Sequence, residues 1–549
     1  MDARLKDLDQ QGNTLFAKKM PVLTLWQDLA ENFYVERADF TTLRSLSDSF
    51  ADNLTTSYPL IARRDLGNMF SAMLRPTDKQ WFYLKPMHNF QEDNEALRWM
   101  EFATQVQTRA MYDPDANFVR STKEGDHDFA AFGQCVISIE LNLRKNALLY
   151  RTWHLRDVAW CEGVEGKIDT IYRNFNITAK NQIRLFPKTV HEKVRKMAEK
   201  EPYTEIKCRH VVVPSDMYTG AKKYNTPFVS IYYDCENGNI LEEVGQHTLG
   251  YVIPRWQTVP GSQYAYSPAA IAGLADARLI QAMTLTLLEA GEKAVNPPLL
   301  AVQEAIRSDV SIFAGGITWV DGEYDGKLEE VLRPLSQDTS GLPLGVEMQR
   351  DIRASIAEAF FLYKINLPPP TKEMTAFETG QRVSEYVRQA LPLFEPMENE
   401  YNGAICEMTF DILFRAGAFG PPDSIPQSLR GANMNFKFES PLSAARESQQ
   451  AQKFVETKNL LLEAAQLDPN AIKMIDVTAA LRDALKSVSP SKWVRTEEEM
   501  TKIQEADAQQ QQVAQTMAGV GGAAQVAEQA GKAGKAIAEA EAAEGAPAL

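Results

Sequence analysis

An α+β protein, predominantly helical, is what this sequence predicts, and three observations predict it. Several long stretches repeat apolar residues every three or four positions, which is the spacing of one helix face. Strand-like stretches of period two cluster between residues 136 and 233 instead of alternating regularly with helices, which argues against a dinucleotide-type fold. The 549 residues are 44% hydrophobic and 24% charged, so the chain can bury a substantial core and is long enough for several domains.

The elements follow in order. Residues 5–73 read as helical, with Trp26, Leu29, Ala30 and Phe33 on one stripe and a second helix over 60–74 that Pro76 ends. A short aromatic strand spans 81–84. Helix returns over 91–111, up to the turn at Asp113, Pro114 and Asp115. Strands are predicted at 136–143, 148–153, 168–173, 210–214 and 229–233, with helix at 179–200. Residues 1–265 together read as one large α+β domain.

Ser267 and Pro268 open a long helix over 269–293, with serine as the cap and proline at the first helical position. Pro297 and Pro298 stop it. Residues 299–342 read as short strands and turns, punctuated by Gly315, Gly316, Gly322 and Gly326. A second helix then carries Ile352, Ile356, Ala359 and Tyr363 on one stripe, so a small β-rich tip sits on a two-helix stalk. Pro368, Pro369 and Pro370 force an extended loop over 366–372. Immediately afterwards Thr375 and Glu378 form the capping-box signature of a new helix. Pro392 and Pro396 interrupt that helix before 398–416 resumes it, and Gly417 closes it. Residues 420–441 read as a loop-rich joint and 442–485 as helices. Beyond Thr496 the Ala, Gln and Glu bias favours a solvated helix or a disordered tail.

Composition narrows the function classes. The five cysteines are odd in number and never in C-x-x-C spacing, so neither a disulfide framework nor a zinc site is expected. The opening residues do not read as a signal peptide. The best apolar stretch, 279–288, is half the ~20 residues a bilayer needs, so no membrane is expected as a partner. A net charge of −15 argues against a broad basic grip on nucleic acid. DNA stays admissible, because a wall that guides a moving polyanion should carry few cations: each neutralised phosphate adds affinity and therefore drag.

Searches for chemistry return little, and no enzyme activity and no cofactor are expected. Gly163, Gly166 and Lys167 fail the phosphate-loop spacing, and Gly519 to Gly522 lack a preceding strand. Asp126, His127 and Asp128 read as a surface turn rather than a metal site. Cys208 and His210 share a strand face without an evident group to orient the imidazole, so they read as a half-buried strand face. Glu378, Arg382 and Glu385 lie on one helix face, and read as a solvated face or as a polar seam against a neighbouring subunit.

Met374-Thr-Ala-Phe-Glu378 with Arg382 and Glu385, placed after a proline-containing loop, resembles the signature of the head-to-tail connector, or portal, proteins of short-tailed bacteriophages (podoviruses). Supporting stretches are Trp81 to Leu84, Gly166 to Arg173, Tyr266-Ser-Pro268, Asn296 to Leu299 and Ser440 to Leu442. Phe377 departs from the pattern, standing where the family has a smaller residue. The resemblance covers most of residues 20–450. It implies a portal-type subunit in a ring, expected to be a dodecamer, that forms a DNA channel at the capsid vertex for packaging, retention and ejection.

On that resemblance residues 1–265 are the wing, 266–295 and 343–365 the stem helices, 296–342 the clip and 366–374 the tunnel loop. Residues 375–418 become the wing or tunnel helix, 419–496 the helical crown and 497–549 a helical barrel or disordered tail. Lys364, Asn366, Pro368, Pro369, Pro370 and Lys372 are implied to face the DNA channel. Glu378, Arg382 and Glu385 become subunit-interface candidates. Trp319, Asp321, Glu323, Tyr324 and Lys327 become the clip surface that meets terminase and then tail adaptor or nozzle proteins. Double-stranded DNA and the major capsid and scaffolding proteins complete the implied partners, with the virion, and the host cytoplasm during assembly, as the location. The alternative reading is an internal virion protein ejected into the host with the genome.

Overall fold

The structure, a computed structural model, describes residues 3–42, 54–76, 79–86, 94–218, 225–295, 297, 299–301, 332–334, 341–362, 397–431 and 434–438. The chain divides into two compact units, Met1–Ala445 and Arg446–Leu549, and every described residue belongs to the first. Helix and strand are mixed, with helix predominating.

Helix α1 (Ala3–Phe33) buries Leu5, Leu8, Leu15, Leu23, Trp26, Leu29, Ala30 and Phe33 at helical spacing, so one stripe serves two packing partners along its length. Helices α2 (Tyr58–Leu74), α3 (Asn94–Met111) and α4 (Phe118–Phe132) pack with its C-terminal half around the main core. Strand β1 (Phe82–Pro86) lies between α2 and α3 in the chain. Strands β2 (Val136–Leu141) and β3 (Leu148–Trp153) form an antiparallel hairpin. The meander β4 (Val158–Glu162), β5 (Ile168–Thr178), β6 (Glu205–Pro214), β7 (Phe228–Asp234) and β8 (Asn239–Gln246) is a five-stranded antiparallel sheet in sequence order. β9 (Tyr251–Val252) joins the other side of β2.

Alternation along the meander serves two cores, as the period of two requires. Tyr172, Val211, Val213, Val229 and Ile231 face Leu5, Leu8 and Leu15 of α1. Ile177, Ile206, Cys208 and Leu241 meet helices α5 (Ala179–Leu185) and α6 (Glu192–Lys200) through Ala179 and Val194. The single helix expected at 179–200 is thus two helices. The break falls at Phe186 to His191, where Pro187 lacks the N–H that would continue the ladder.

Three further differences from the sequence reading have physical causes. Residues 118–132 form α4, and His127 is not in a surface turn: Asp126 and Asp128 on either side are buried ion-pair partners of Arg75 and Arg37. Burial and the nearby Arg63 hold the His127 imidazole down to about 4, so it is neutral and its Nδ1 accepts from Arg63 Nη1 at 3.1 Å. Gly67 allows this approach, since a Cβ there would lie 2.4 Å from His127 Nδ1. Strand β12 (Met434–Phe438), inside the expected loop-rich joint, pairs antiparallel with β1. Finally, Ala269–Val295 is long and apolar enough to cross a membrane by length and composition, at a hydropathy of 1.3, which corrects the expectation that no stretch sufficed.

Cys208 and His210 lie on a buried strand face, more enclosed than the half-buried face expected. Two groups orient the imidazole that the sequence left without a partner. Arg173 Nε donates to Tyr251 Oη (2.9 Å), Tyr251 Oη shares a hydrogen bond with His210 Nδ1 (2.6 Å), and His210 Nε2 shares another with Ser230 Oγ (2.8 Å). Burial, reinforced by Arg173, keeps the ring neutral, and burial pushes the Cys208 thiol up, so the pair is structural.

Two buried basic side chains hold the body together. Lys19, fully buried on the α1 stripe, donates to the carbonyls of Leu155 and Val158, and its Nζ lies 5.1 Å from the Trp26 ring centre and 5.5 Å from that of Trp160. Burial lowers its pKa to about 7, and a neutral amine still has two protons for two carbonyls. Arg75, just past α2, pairs with Asp126 and donates Nη1 to Asn402 Oδ1 at 2.8 Å, and Asn402 Nδ2 donates to Leu74 O at 3.2 Å. Asn402 follows the span 363–396, so this network ties the returning chain to the N-terminal helices.

Two predictions follow from these side chains. Between about pH 7 and 10.5 the unfolded chain holds the Lys19 proton and the folded chain does not, so stability rises with pH there by at most about 1.4 kcal/mol per unit. Denaturant titration across that window should show this slope and should lose it in Lys19→Met. Arg75→Met, which strands Asp126, should cost about 3–5 kcal/mol, whereas adding Asp126→Leu should recover most of the loss in the same denaturation assay.

Candidate subunit interface on a two-helix stalk

The stalk begins where the sequence places it. Ser267 Oγ accepts from the Ala270 amide at 3.1 Å and donates to Ala131 O at 2.7 Å, so the cap both starts the helix and anchors it to α4. A π-helical turn, Ala269–Gly273, leads into helix α7 (Leu274–Val295). Strands β10 (Leu299–Ala301) and β11 (Leu332–Pro334) pair antiparallel beyond it, and helix α8 (Leu342–Ala359), with a proline in its first turn, returns.

Three contacts fix the pairing of the helices. A Cβ on Gly345 would lie 2.7 Å from Leu287 Cδ2, Gln349 Nε2 donates to Thr284 Oγ1 at 2.7 Å, and Gly273 sits against Phe360. Residue numbers rise on one helix as they fall on the other, so the pair is antiparallel. Glycine at 345 lets the backbone approach Leu287, and at 273 it leaves room for Phe33 and Phe360, whose ring centres are 5.2 Å apart. Gln281 braces the base, where its side-chain Oε1 accepts from the amides of Thr55 (2.8 Å) and Thr56 (3.0 Å) and its Nε2 donates to Thr56 O (3.0 Å).

What the pair leaves uncovered is the informative part. Leu279 is 48% exposed, Leu285 48%, Leu288 60%, Leu344 61%, Val346 52% and Met348 50%. With about 100° per residue and the buried stripes facing each other, Leu285, Leu288 and Val346 project to one flank of the stalk and Leu279 and Met348 to the other. Gln281 and Arg353 lie on the first flank nearer the base, and both meet the Thr55 to Tyr58 segment there. The far side of α8 is charged, with Glu347, Arg350, Asp351 and Glu358 exposed. Apolar residues on both flanks of one element suit a surface that meets two neighbours.

Helix α8 ends before Lys364. Its last residue is Ala359, and Phe361 takes a left-handed conformation (φ 57°). The channel residues expected from the sequence, Lys364, Asn366, Pro368, Pro369, Pro370 and Lys372, lie outside the described residues. So do Glu378, Arg382 and Glu385, and the clip residues Trp319, Asp321, Glu323, Tyr324 and Lys327. Sequence reasoning missed Gly345, Gln281 and the Arg75 network. A glycine three residues past Leu342 in a helical pattern was the available signal for the first, since an unforced glycine costs helix stability.

Elsewhere, no three His, Cys, Asp or Glu side chains come together to hold a metal among the described residues. An open apolar cavity of ≈ 440 Å³, lined by Trp99, Phe410, Phe414, Ile425, Leu429 and Met434, has its acids already matched: Asp411 by Arg415 at 2.8 Å and Asp423 by Arg430 at 3.7 Å.

Known proteins resemble this chain in sequence. The chain is 26% identical over 435 residues to the probable portal protein of Bordetella phage BPP-1, covering 77% of this chain and 76% of that one. It is 26% identical over 367 residues to the portal protein of Salmonella phage epsilon15, covering 64% of each. Among solved structures, a chain of the virion of a native gene transfer agent particle matches at 9% identity with a TM-score of 0.36, covering 74% of this chain and 86% of that one. The family profile described as bacteriophage head to tail connecting protein matches residues 5–491, and the chain belongs to that family.

Proposed function

We propose that the chain is one subunit of a ring-shaped portal at the capsid vertex, a structural conduit through which DNA is packaged, retained and ejected. The observation that carries this reading is the two-flanked apolar stalk in a member of the head to tail connecting family. Each copy offers one flank to the neighbour ahead and the other to the neighbour behind, a heterologous contact that closes into a ring. Twelve copies are what the resemblance implies. A second copy covers these flanks better than lipid does, because Glu347, Arg350, Asp351 and Glu358 line the outer side of the same stalk and charges are expensive in hydrocarbon.

In this reading the protein is a virion component at the head-tail junction and acts without catalysis. The β10 and β11 ladder marks the base of the clip, where terminase and then tail adaptors dock. Lys364 and Lys372 act as weak phosphate contacts repeated around the axis, and the net charge of −15 keeps the remaining wall from gripping DNA. Family membership favours this assignment over a protein ejected with the genome.

Negative-stain images of the purified chain should show closed rings with an axial hole. Leu285→Glu with Leu288→Glu should give monomers of unchanged far-UV circular dichroism, and rings from that double variant would remove the flank from the interface. Deleting residues 366–373 should leave rings intact and reduce the DNA-filled heads recovered; a normal yield of filled heads would remove the loop's assigned role.

A further inference from the structure

Arg255 and Trp256 are adjacent in a segment that bends at Trp256, and their side chains reach different partners. The segment is itself fixed, because the Trp256 amide donates to Gly133 O at 2.8 Å and Arg255 forms an isolated bridge with Gln134. Trp256 stacks on Phe361 (ring centres 6.3 Å apart, planes 9° apart), and Phe361 is the left-handed residue from which the chain leaves the stalk. Arg255 reaches the other end of the same excursion: its amide donates to Glu400 Oε2 at 3.3 Å, and its Nη2 lies 3.8 Å from Glu400 Oε1. The two ends share a floor as well, since Phe129 lies 5.3 Å from Trp256 and 5.7 Å from Tyr401.

From this juxtaposition we infer that Arg255 and Trp256 are positioning residues, a staple that sets where the span between Phe361 and Glu400 starts and returns. The inference deepens the channel reading above, because that span carries the loop assigned to DNA. The staple also has a third attachment. The Arg255 guanidinium pairs with Glu162 and donates to Gly166 O at 3.4 Å, so the β4 to β5 turn is linked to Glu400 through one cation. Among the described residues its Nε is buried without an acceptor, and two carboxylates draw on the one guanidinium. A displacement of that turn therefore shifts the hold on Glu400. Phe361 pays for its left-handed backbone with the stack, since a non-glycine residue at positive φ persists only where its surroundings over-determine it.

Hydrogen exchange of the full-length protein tests the staple without reference to DNA. Phe361→Gly accepts the backbone conformation and loses the stack, while Glu400→Gln weakens the other hold at a half-exposed site. Each should speed exchange of amides in residues 362–400 about three- to tenfold, the range set by losing one aromatic or polar contact, with the rest of the chain and the melting temperature unchanged. Phe361→Tyr, which keeps a ring, should exchange like the parent. Unchanged exchange in 362–400, or acceleration spread evenly over the chain, would overturn the staple. If exchange rises locally and heads still retain DNA normally, the staple stands and the assignment of this span to DNA fails instead.

Discussion

The Arg75 and Asp126 ion pair is the constraint on which the rest of the molecule depends. Both side chains are buried, at 3% and 0% exposure, so removing either one leaves the other uncompensated at a cost of several kcal/mol. The pair also recruits Asn402, whose amide returns a hydrogen bond to the last carbonyl of α2. Three elements far apart in sequence, α2, α4 and the turn before Ala404, are therefore registered together or not at all. Buried pairs of this kind contribute more to the uniqueness of an arrangement than to its stability, and here the arrangement fixes where the chain re-enters the body. Tyr401 then lies against Phe129, and Phe33 and Phe360 seat the stalk in the same core.

The sequence was most legible where local chemistry decides the outcome. Ser267 and Pro268 announced a helix start that the Ser267 hydroxyl does cap, alternation located β2, and the further strand candidates fall on β3, β6 and β7 to within a few residues except at the N-terminal end of β6. It was least legible where distant partners decide. Helix α4 carries Ser121, Thr122, Gly125, Asp126 and Asp128, all weak helix formers, and all five are buried. Their partners, Arg75, Arg37 and Tyr150, lie elsewhere in the chain, and a Cβ on Gly125 would come 2.8 Å from Tyr401 Oη. Periodicity cannot register such contacts. The flanks of the stalk were invisible for a related reason: leucine at 279, 285 and 288 reads as core until the packing leaves each about half exposed among the described residues.

That exposure is chemical information of its own kind. Helix α7 divides its surface between a stripe that packs on α8 and flanks whose leucines at 279, 285 and 288 stay about half exposed among the described residues, whereas α8 turns charge outward. A helix hydrophobic beyond one stripe belongs in a larger core. Helical periodicity puts the surplus on two sides instead of one, so a simple two-fold pairing would bury one flank and strand the other. Closed rotation satisfies both flanks in every copy, and the geometry of the contact then sets the number of copies.

Repetition around an axis also changes what a single contact is worth. If Lys364 and Lys372 face the channel, each copy adds the same weak phosphate interaction, and the salt sensitivity of the whole scales with the number of phosphates met at once. An assembly of this kind needs little affinity per subunit, and excess affinity would oppose translocation. It does need every loop at the same height and radius, because copies out of register meet different phosphates and their contributions no longer add. Placement, more than charge, then becomes the quantity the fold must control. A stacked Phe361 at one end of the span and a paired Glu400 at the other, held by adjacent residues of one fixed segment, control placement without adding a single cation to the wall.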